Sequence, residues 1–326
     1  MDGTPREENG ISPVSMNGMN RRGLSSPIAA FPRPHGSNLP HPAARFNREP
    51  STLSPMPEYV LGTDEQERIR LGLQHRLWAA HAHQAWERAG LRPGWRALDV
   101  GCGPGWASMD MAQIVGPTGA VFGVDESEQY VGWFNQGMRA SGLPWASAVQ
   151  GDVHQIAQTA GGHAPFDMGY VRWVLCFIRD PGSVVAQVAG LLRPGGRLVI
   201  QDYFNYESMT LAPRRAAFSR GIQAVAKSWR DRGGNPDVMG EMPALLGKAG
   251  WRVIHREVIQ RVAHPHEQMW TWPTMFWKTF IPRLESSGYL TPRERQAFEQ
   301  AWTEAADDPD SFIHLPPVYE LIAEKP

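Results

Sequence analysis

The sequence predicts an α/β fold: an open, mostly parallel sheet of seven strands with helices on both faces and helical insertions late in the chain. Three observations point there. Short apolar runs alternate with segments of helical periodicity, the pattern of strands joined by crossover helices. One run, Arg96-Ala-Leu-Asp-Val100, breaks into Gly101, Gly103 and Gly105 and resumes at helical spacing with Ala107, Met111, Ile114 and Val115, which reads as strand, tight turn and helix. Several runs also end in an acid, where a ligand at the carboxyl edge of a parallel sheet would meet it.

In chain order, residues 1–57 are rich in Pro, Gly, Ser and Asn, and Pro32, Pro34, Pro40, Pro42, Pro50, Pro55 and Pro57 forbid regular helix or strand. This part is expected to be a disordered leader to a single domain over 58–326. Order is expected to begin at Glu58-Tyr-Val-Leu-Gly-Thr63, with Thr63 capping a helix and Gln66 completing a capping box. Leu71, His75, Trp78, Ala82 and Trp86 then mark the buried stripe of a helix over about 64–89, which Gly90 ends. Strands are expected at 95–100, 120–125, 146–152, 166–172, 197–202, 251–262 and 318–323, and further helices at 129–140, 184–192 and 237–249. Two insertions interrupt the alternation, about 204–236 (helical from Ala212 to Trp229) and about 264–316. Neither is large enough for a core of its own.

Composition narrows the class. Apolar residues make up 42% of the 326, enough for a substantial core, and 32 Lys and Arg balance 33 Asp and Glu, so no polyanion partner is expected. With Cys102 and Cys176 alone, a disulfide framework is not expected and a reducing, cytoplasmic setting is the simplest expectation. No apolar run approaches the ~18 residues of a membrane helix, and no basic head precedes an apolar block at the N-terminus. Neither membrane nor nucleic acid is an expected partner. Thirteen Trp is a high number that the fold has to place.

A glycine turn between strand and helix suits a nucleotide-like ligand, because glycine tolerates positive φ and lets a ligand touch the backbone. The dinucleotide fingerprint is G-x-G-x-x-G. Here the spacing is G-x-G-x-G, and Trp106 at the next position would hinder a pyrophosphate. Leu98-Asp-Val-Gly-Cys-Gly-Pro-Gly105 resembles motif I of class I S-adenosylmethionine (SAM) methyltransferases. The resemblance extends over about 58–202 and the last strand through Asp125, Gly151-Asp152, Phe166-Asp167 and Leu192-Arg-Pro-Gly-Gly196. It is strongest to small-molecule methyltransferases of the ubiquinone/menaquinone-biosynthesis type, and it implies a Rossmann-like sheet and SAM as cofactor.

Candidate donor-site residues follow. Gly101, Cys102, Gly103 and Gly105 would shape the turn, with Cys102 also readable as a small filler. Asp125, with Glu126 beside it, lies ~20 residues beyond the turn, where a carboxylate would accept from ribose hydroxyls. Asp152 would accept from the adenine amine and Val153 N–H donate to the ring. Arg172 would pair either with the methionyl carboxylate or with Asp180. Asp99 would orient the turn or meet the methionyl ammonium. By resemblance, Tyr59 in Tyr59-Val-Leu-Gly62 belongs to a segment folding over the cofactor; it reads equally as a core aromatic.

The acceptor would be a small molecule, flat or apolar. No Asp/Asn-Pro-Pro-Tyr/Phe follows the fourth strand, and no Pro-Cys pair occurs, which speaks against amino-methylating DNA or protein enzymes and 5-methylcytosine enzymes. Trp270-Thr-Trp-Pro-Thr-Met-Phe-Trp277 and Tyr203-Phe-Asn-Tyr206 could wall such a site, or Trp270, Phe276 and Trp277 could simply pack helices. Where a base is needed, His264 and His266 are candidates, with Tyr203 and Asp202 as alternatives. No Cys/His cluster has metal spacing, so no metal is expected. The leading expectation is methyl transfer from SAM by in-line displacement; a non-catalytic SAM-binding module and a nicotinamide-dependent oxidoreductase are the alternatives.

Overall fold

The computed structural model describes residues 64–326, so the expected leader, Thr63 and Tyr59 lie outside the described residues. In chain order the elements are α1 (Glu65–Arg88), β1 (Arg96–Val100), α2 (Trp106–Val115), β2 (Ala120–Asp125), α3 (Glu128–Ala140), β3 (Ala146–Gln150) and α4 (Ile156–Ala160). They continue with β4 (Phe166–Arg172), α5 (Pro181–Leu191), β5 (Leu192–Tyr203), β6 (Thr210–Ala212), α6 (Ala216–Asp231), α7 (Met242–Lys248), β7 (Arg252–Ile259) and β8 (Val262–Ala263). The last are α8 (Gln268–Ser286), α9 (Pro292–Asp307), β9 (Phe312–His314) and β10 (Val318–Glu324).

The expected sheet is present, with seven strands in the order β3-β2-β1-β4-β5-β10-β7. β1 pairs in parallel with β2 and β4, and β10 runs antiparallel between β5 and β7. Leu98 and Val100 on β1, Val124 on β2, Val171 on β4 and Ile200 on β5 are fully or almost fully buried in one apolar cluster. Ala97, Val121, Met168 and Val199 on the same strands belong to a second cluster with α1 and α2. Burial on both faces is what near-continuous apolar runs in a parallel sheet require.

Local signals differ from expectation in four places. The N-cap of α1 is Asp64, whose Oδ1 accepts from Glu67 N–H at 2.8 Å, and not Thr63 with Gln66. The sixth strand, expected over 251–262, ends at Ile259. Val262–Ala263 belongs instead to a second sheet, β6-β9-β8, in which it joins one short strand from each insertion, and which was not anticipated in the sequence. Strands of two or three residues carry no readable alternation. The helix expected over 237–249 shrinks to Met242–Lys248, preceded by a 3-10 turn at Val238–Gly240. Finally, α8 runs through Pro273 and Pro282. Packing of Trp270, Trp272, Trp277, Phe280 and Ile281 outweighs the missing backbone donors.

The aromatic insertion residues are largely core. Trp270 stacks on Trp302 with ring centroids 4.4 Å apart, and Trp277 meets Phe218 and Phe298 edge-on at 5.9 and 5.3 Å. Among the described residues, no helix is long and apolar enough to cross a membrane.

Candidate functional site

The glycine turn sits where β1 delivers it, at the carboxyl edge of the sheet, and its backbone is committed internally. Gly101 and Cys102 N–H donate to Val124 O at 2.8 and 3.1 Å, and Gly105 N–H donates to Cys102 O at 3.1 Å. Gly103 N–H donates to Asp125 Oδ2 at 2.8 Å. Pro104 has no N–H to offer. Within 101–105, therefore, every backbone donor is already used within the protein. Gly101, Gly103 and Gly105 all have positive φ, at 69°, 55° and 91°. A Cβ at Gly101 would lie 2.4 Å from Val174 Cγ2, and one at Gly105 would lie 2.5 Å from Phe134. At Gly103 nothing lies within 4 Å, so the turn presents an open face at its middle residue.

Around that face the sheet edge supplies charged and polar groups. Asp125 is almost buried, and besides Gly103 it accepts from Ser127 N–H at 3.0 Å, which ties the turn to the start of α3. Burial raises its pKa, opposed by these two backbone donors. Asp99, fully inside, accepts from Ser108 Oγ at 2.5 Å; burial pushes its carboxyl up to about 6. Asp152 caps the turn after β3, accepting from His154 N–H at 2.8 Å, and Val153 is buried behind it. Glu126 is exposed at the end of β2, its carbonyl accepting from Gln150 Nε2 at 3.1 Å.

Arg172 ends β4, one residue beyond Val171, which pairs with Val100 immediately before the turn. It does not meet Asp180, which instead caps α5 by accepting from Ser183 N–H at 2.9 Å. Its Nη2 donates to His75 Nδ1 at 2.9 Å, while its Nη1 is buried with no hydrogen-bond partner. A buried guanidinium nitrogen without an acceptor is costly unless a ligand supplies one.

Cys102 contributes spacing. Its Sγ lies 2.7 Å from the point a Cβ on Gly123 would occupy, so the thiol fills the gap between turn and β2, and burial drives its pKa up. Trp106, expected to hinder a pyrophosphate, packs on Gly72 of α1, with Cε2 3.1 Å from where a Cβ there would be.

Beyond Arg172 the chain enters an aromatic cluster. Trp173 has φ of 55°, an unusual conformation for a bulky residue, and its ring stacks on Trp272 at 5.9 Å and Tyr203 at 6.1 Å. Trp78 of α1 meets both Trp173 and Trp272 edge-on, at 5.4 and 5.2 Å. Trp272 Nε1 donates to Gln74 Oε1 at 2.8 Å. Of the aromatics in 270–277, Trp272 is the one that reaches the end of β4. Tyr203 is buried among Trp173, Tyr206 and Trp229, and that burial drives its phenol well above the usual range. Asp202 is buried, with Oδ1 accepting from Tyr203 N–H and Oδ2 from Cys176 N–H, at 2.9 and 3.2 Å. His264 is exposed after β8 in the small sheet, with its ring 5.7 Å from Phe312. Among the described residues, one His/acid group has ligand atoms within 4.8 Å of one another, His255, Glu257 and Glu320. Arg88 Nη1 already lies 2.6 Å from Glu257 and 3.1 Å from Glu320, so a guanidinium supplies the positive charge there.

Comparison with known proteins decides between nucleotide-like ligands. The family profile described as "Methyltransferase domain" matches residues 91–233, which hold the glycine turn, Asp125, Asp152 and Arg172. The match over residues 91–233 supports a class I methyltransferase domain in that part of the chain. S-adenosylmethionine is the cofactor of that class. The domain is similar to demethylmenaquinone methyltransferase of Bacillus cytotoxicus, 29% identical over 122 residues, which are 36% of this chain and 50% of that protein. It is also similar to nocamycin O-methyltransferase of Saccharothrix syringae, 37% identical over 107 residues, or 33% of this chain and 37% of that protein. The match thus spans half or less of either relative's length. A solved structure described as a methyltransferase from Bacillus halodurans shares the fold, with a TM-score of 0.53 at 16% identity over 76% of this chain and 99% of that one.

The site contains residues that the motifs did not mark. His75, Gln74 and Trp78 lie on α1, whose stripe of Leu71, His75, Trp78, Ala82 and Trp86 reads simply as a buried face. A histidine on an otherwise apolar stripe is the signal that was available.

Proposed function

We propose that the protein transfers a methyl group from S-adenosylmethionine to a small-molecule acceptor. The observation that carries this reading is Arg172 Nη1, a buried donor without a partner beside a turn that has no N–H free for phosphate. That combination suits a nucleoside ligand bearing a carboxylate in place of a phosphate chain. When bound, the donor supplies a methyl already activated by the sulfonium, so the protein's work is alignment and exclusion of water. Gly103 offers the open face for the donor's close approach. Asp125 accepts from the ribose hydroxyls while holding Gly103, Asp152 and Val153 serve the adenine, and Arg172 takes the methionyl carboxylate. Asp99 braces the turn through Ser108.

Trp173, Trp78, Trp272 and Tyr203 wall the acceptor side, which favours a flat or apolar acceptor and shelters the sulfonium. Relatives whose names refer to demethylmenaquinone and nocamycin support acceptors of small-molecule type. Burial keeps the Tyr203 phenol protonated, so Tyr203 acts as wall and hydrogen-bond donor. His264 is the available base where the acceptor has a proton to lose.

Titration calorimetry with SAM and with NAD tests the reading. SAM binding with no NAD binding is expected; the opposite result overturns it. Incubating the protein with methyl-labelled SAM and a metabolite extract then detects transfer by mass shift. A protein that binds SAM yet never releases S-adenosylhomocysteine is a binding module.

A further inference from the structure

His75 sits between two charged groups brought to it by different elements. From β4, Arg172 Nη2 reaches its Nδ1 at 2.9 Å. From α2, Asp110 Oδ2 lies 3.0 Å from its Nε2, and the same oxygen is 2.7 Å from Nε2 of His83, one helical face along α1. An arginine can only donate, so His75 Nδ1 must be the bare acceptor and Nε2 must carry the proton it gives to Asp110. The imidazole is thereby neutral and held in one tautomer. His75 is 8% exposed, so this arrangement is enclosed, and His83, about half exposed, is its link to solvent.

We propose that His75 is the positioning residue for the methyl donor: its neutral ring holds Arg172 in place by accepting at Nδ1, and protonating it releases Arg172 and weakens binding of the donor's carboxylate. This rests on the reading of Arg172 as the carboxylate-binding residue. A second proton would go to Nδ1, where it would face the Arg172 guanidinium and leave Nη2 as well as Nη1 without an acceptor. The charged and titratable groups facing the pair are Asp110 on α2, His83 on α1, Asp99 across the turn on β1 and Tyr170 beneath Arg172 at 5.8 Å. Burial keeps the His75 pKa below its ordinary 6.5, with Asp110 opposing and Arg172 assisting, so the ring is neutral at pH 7.5 and takes a second proton only on acidification.

The test is SAM affinity by calorimetry from pH 5 to 7.5, in wild type, His75→Phe, His75→Asn and Arg172→Met. 5′-Methylthioadenosine, which lacks the amino-acid end, is the reference ligand. Asn can place an acceptor near the position of Nδ1 but does not titrate. Phe fills the space without an acceptor. We expect His75→Phe to weaken SAM about tenfold or more while leaving methylthioadenosine unchanged, and His75→Asn to restore most of the loss. The wild-type fall in SAM affinity toward pH 5 should be smaller in His75→Asn. Wild-type SAM affinity in His75→Phe, with weakening in Arg172→Met, overturns the role of His75 and leaves the donor site as described. Unchanged affinity in Arg172→Met overturns both residues' roles. If wild type binds no SAM, the reading under Proposed function is what fails. Should His75→Phe lose methylthioadenosine as well, the pH profile of His75→Asn decides: a flattened profile supports the role of His75, and a wild-type profile overturns it.

Discussion

Gly103 donates its backbone N–H to Asp125 Oδ2 at 2.8 Å, so the middle of the glycine turn hangs from the end of the second strand. The other oxygen of the same carboxylate accepts from Ser127 N–H at 3.0 Å. Asp125 therefore shapes the proposed donor site before any ligand touches it. Replacing it by Ala leaves two backbone donors without an acceptor, at about 1–3 kcal/mol each where buried. Asp125→Ala is expected to weaken SAM binding by about 10–100-fold and lower the urea midpoint. Asp125→Asn, which keeps one acceptor oxygen, should fall between the two. An Asp125→Ala protein with wild-type SAM affinity would contradict this account.

Gly101 and Gly103 should respond differently to a methyl group. At Gly101 the Cβ would strike Val174 Cγ2 at 2.4 Å in a backbone with φ of 69°, so Gly101→Ala should cost stability, about 1–3 kcal/mol. Truncating the obstacle in Gly101→Ala/Val174→Ala should recover part of that. At Gly103 the added methyl meets nothing, so the fold bears only the left-handed strain of about 1–2 kcal/mol. SAM affinity should nevertheless drop at least about tenfold, because the methyl projects from the open face. Calorimetry beside thermal unfolding separates the two effects.

Trp173 should invert the usual order of Gly and Ala. Losing its ring from the stack with Trp272 and Tyr203 costs about 3–5 kcal/mol in either variant. Its φ of 55°, however, strains Ala and not Gly. Trp173→Gly is expected to be more stable than Trp173→Ala by about 1 kcal/mol, read from urea unfolding. Equal or reversed stabilities would show that the backbone relaxes once the ring is gone.

Asp202 carries a pH-dependent cost. Burial raises its carboxyl from 3.8 to about 6, against hydrogen bonds from Tyr203 and Cys176. Between those values the native state holds a proton that the unfolded chain has lost, so this group's contribution to stability falls as pH rises through the window. At about 1.4 kcal/mol per unit, the fall is roughly 3 kcal/mol. Asp202→Asn removes the titration. Its stability relative to wild type should be greater at pH 8 than at pH 4 by about that amount. Denaturant unfolding at both values checks it, and a difference independent of pH would refute it.

Much of the molecule was legible in the chain. The alternation of apolar runs with helical stripes specified the seven strands, because burial on both faces leaves little freedom in what a parallel strand can contain. The spacing Gly101-x-Gly-x-Gly105 and the acid at Asp125 were readable as a turn with positive φ beside a strand-end carboxylate, since both are local requirements, and the fold brings the two together. Thr63 and Asp64 show the limit at a boundary: of two adjacent residues that can both cap a helix, the pattern alone does not say which one does.

What the tertiary structure decided were relationships between residues far apart in sequence. Pattern left Arg172 between a carboxylate and Asp180, whereas the fold gives it His75 from a helix nearly a hundred residues earlier and leaves one nitrogen unpartnered. It also sorted the tryptophans, sending Trp270 and Trp277 into the helical insertion and Trp272 to the end of β4. Periodicity says which face of a helix is buried, but not which of several buried faces meets the site. The glycine turn was visible from the start as a strand-to-helix turn suited to a nucleoside-like ligand. That its N–H groups are already spent, so that it suits a donor without phosphates, depended on Val124 and Asp125 arriving beside it, and only the folded chain arranges that.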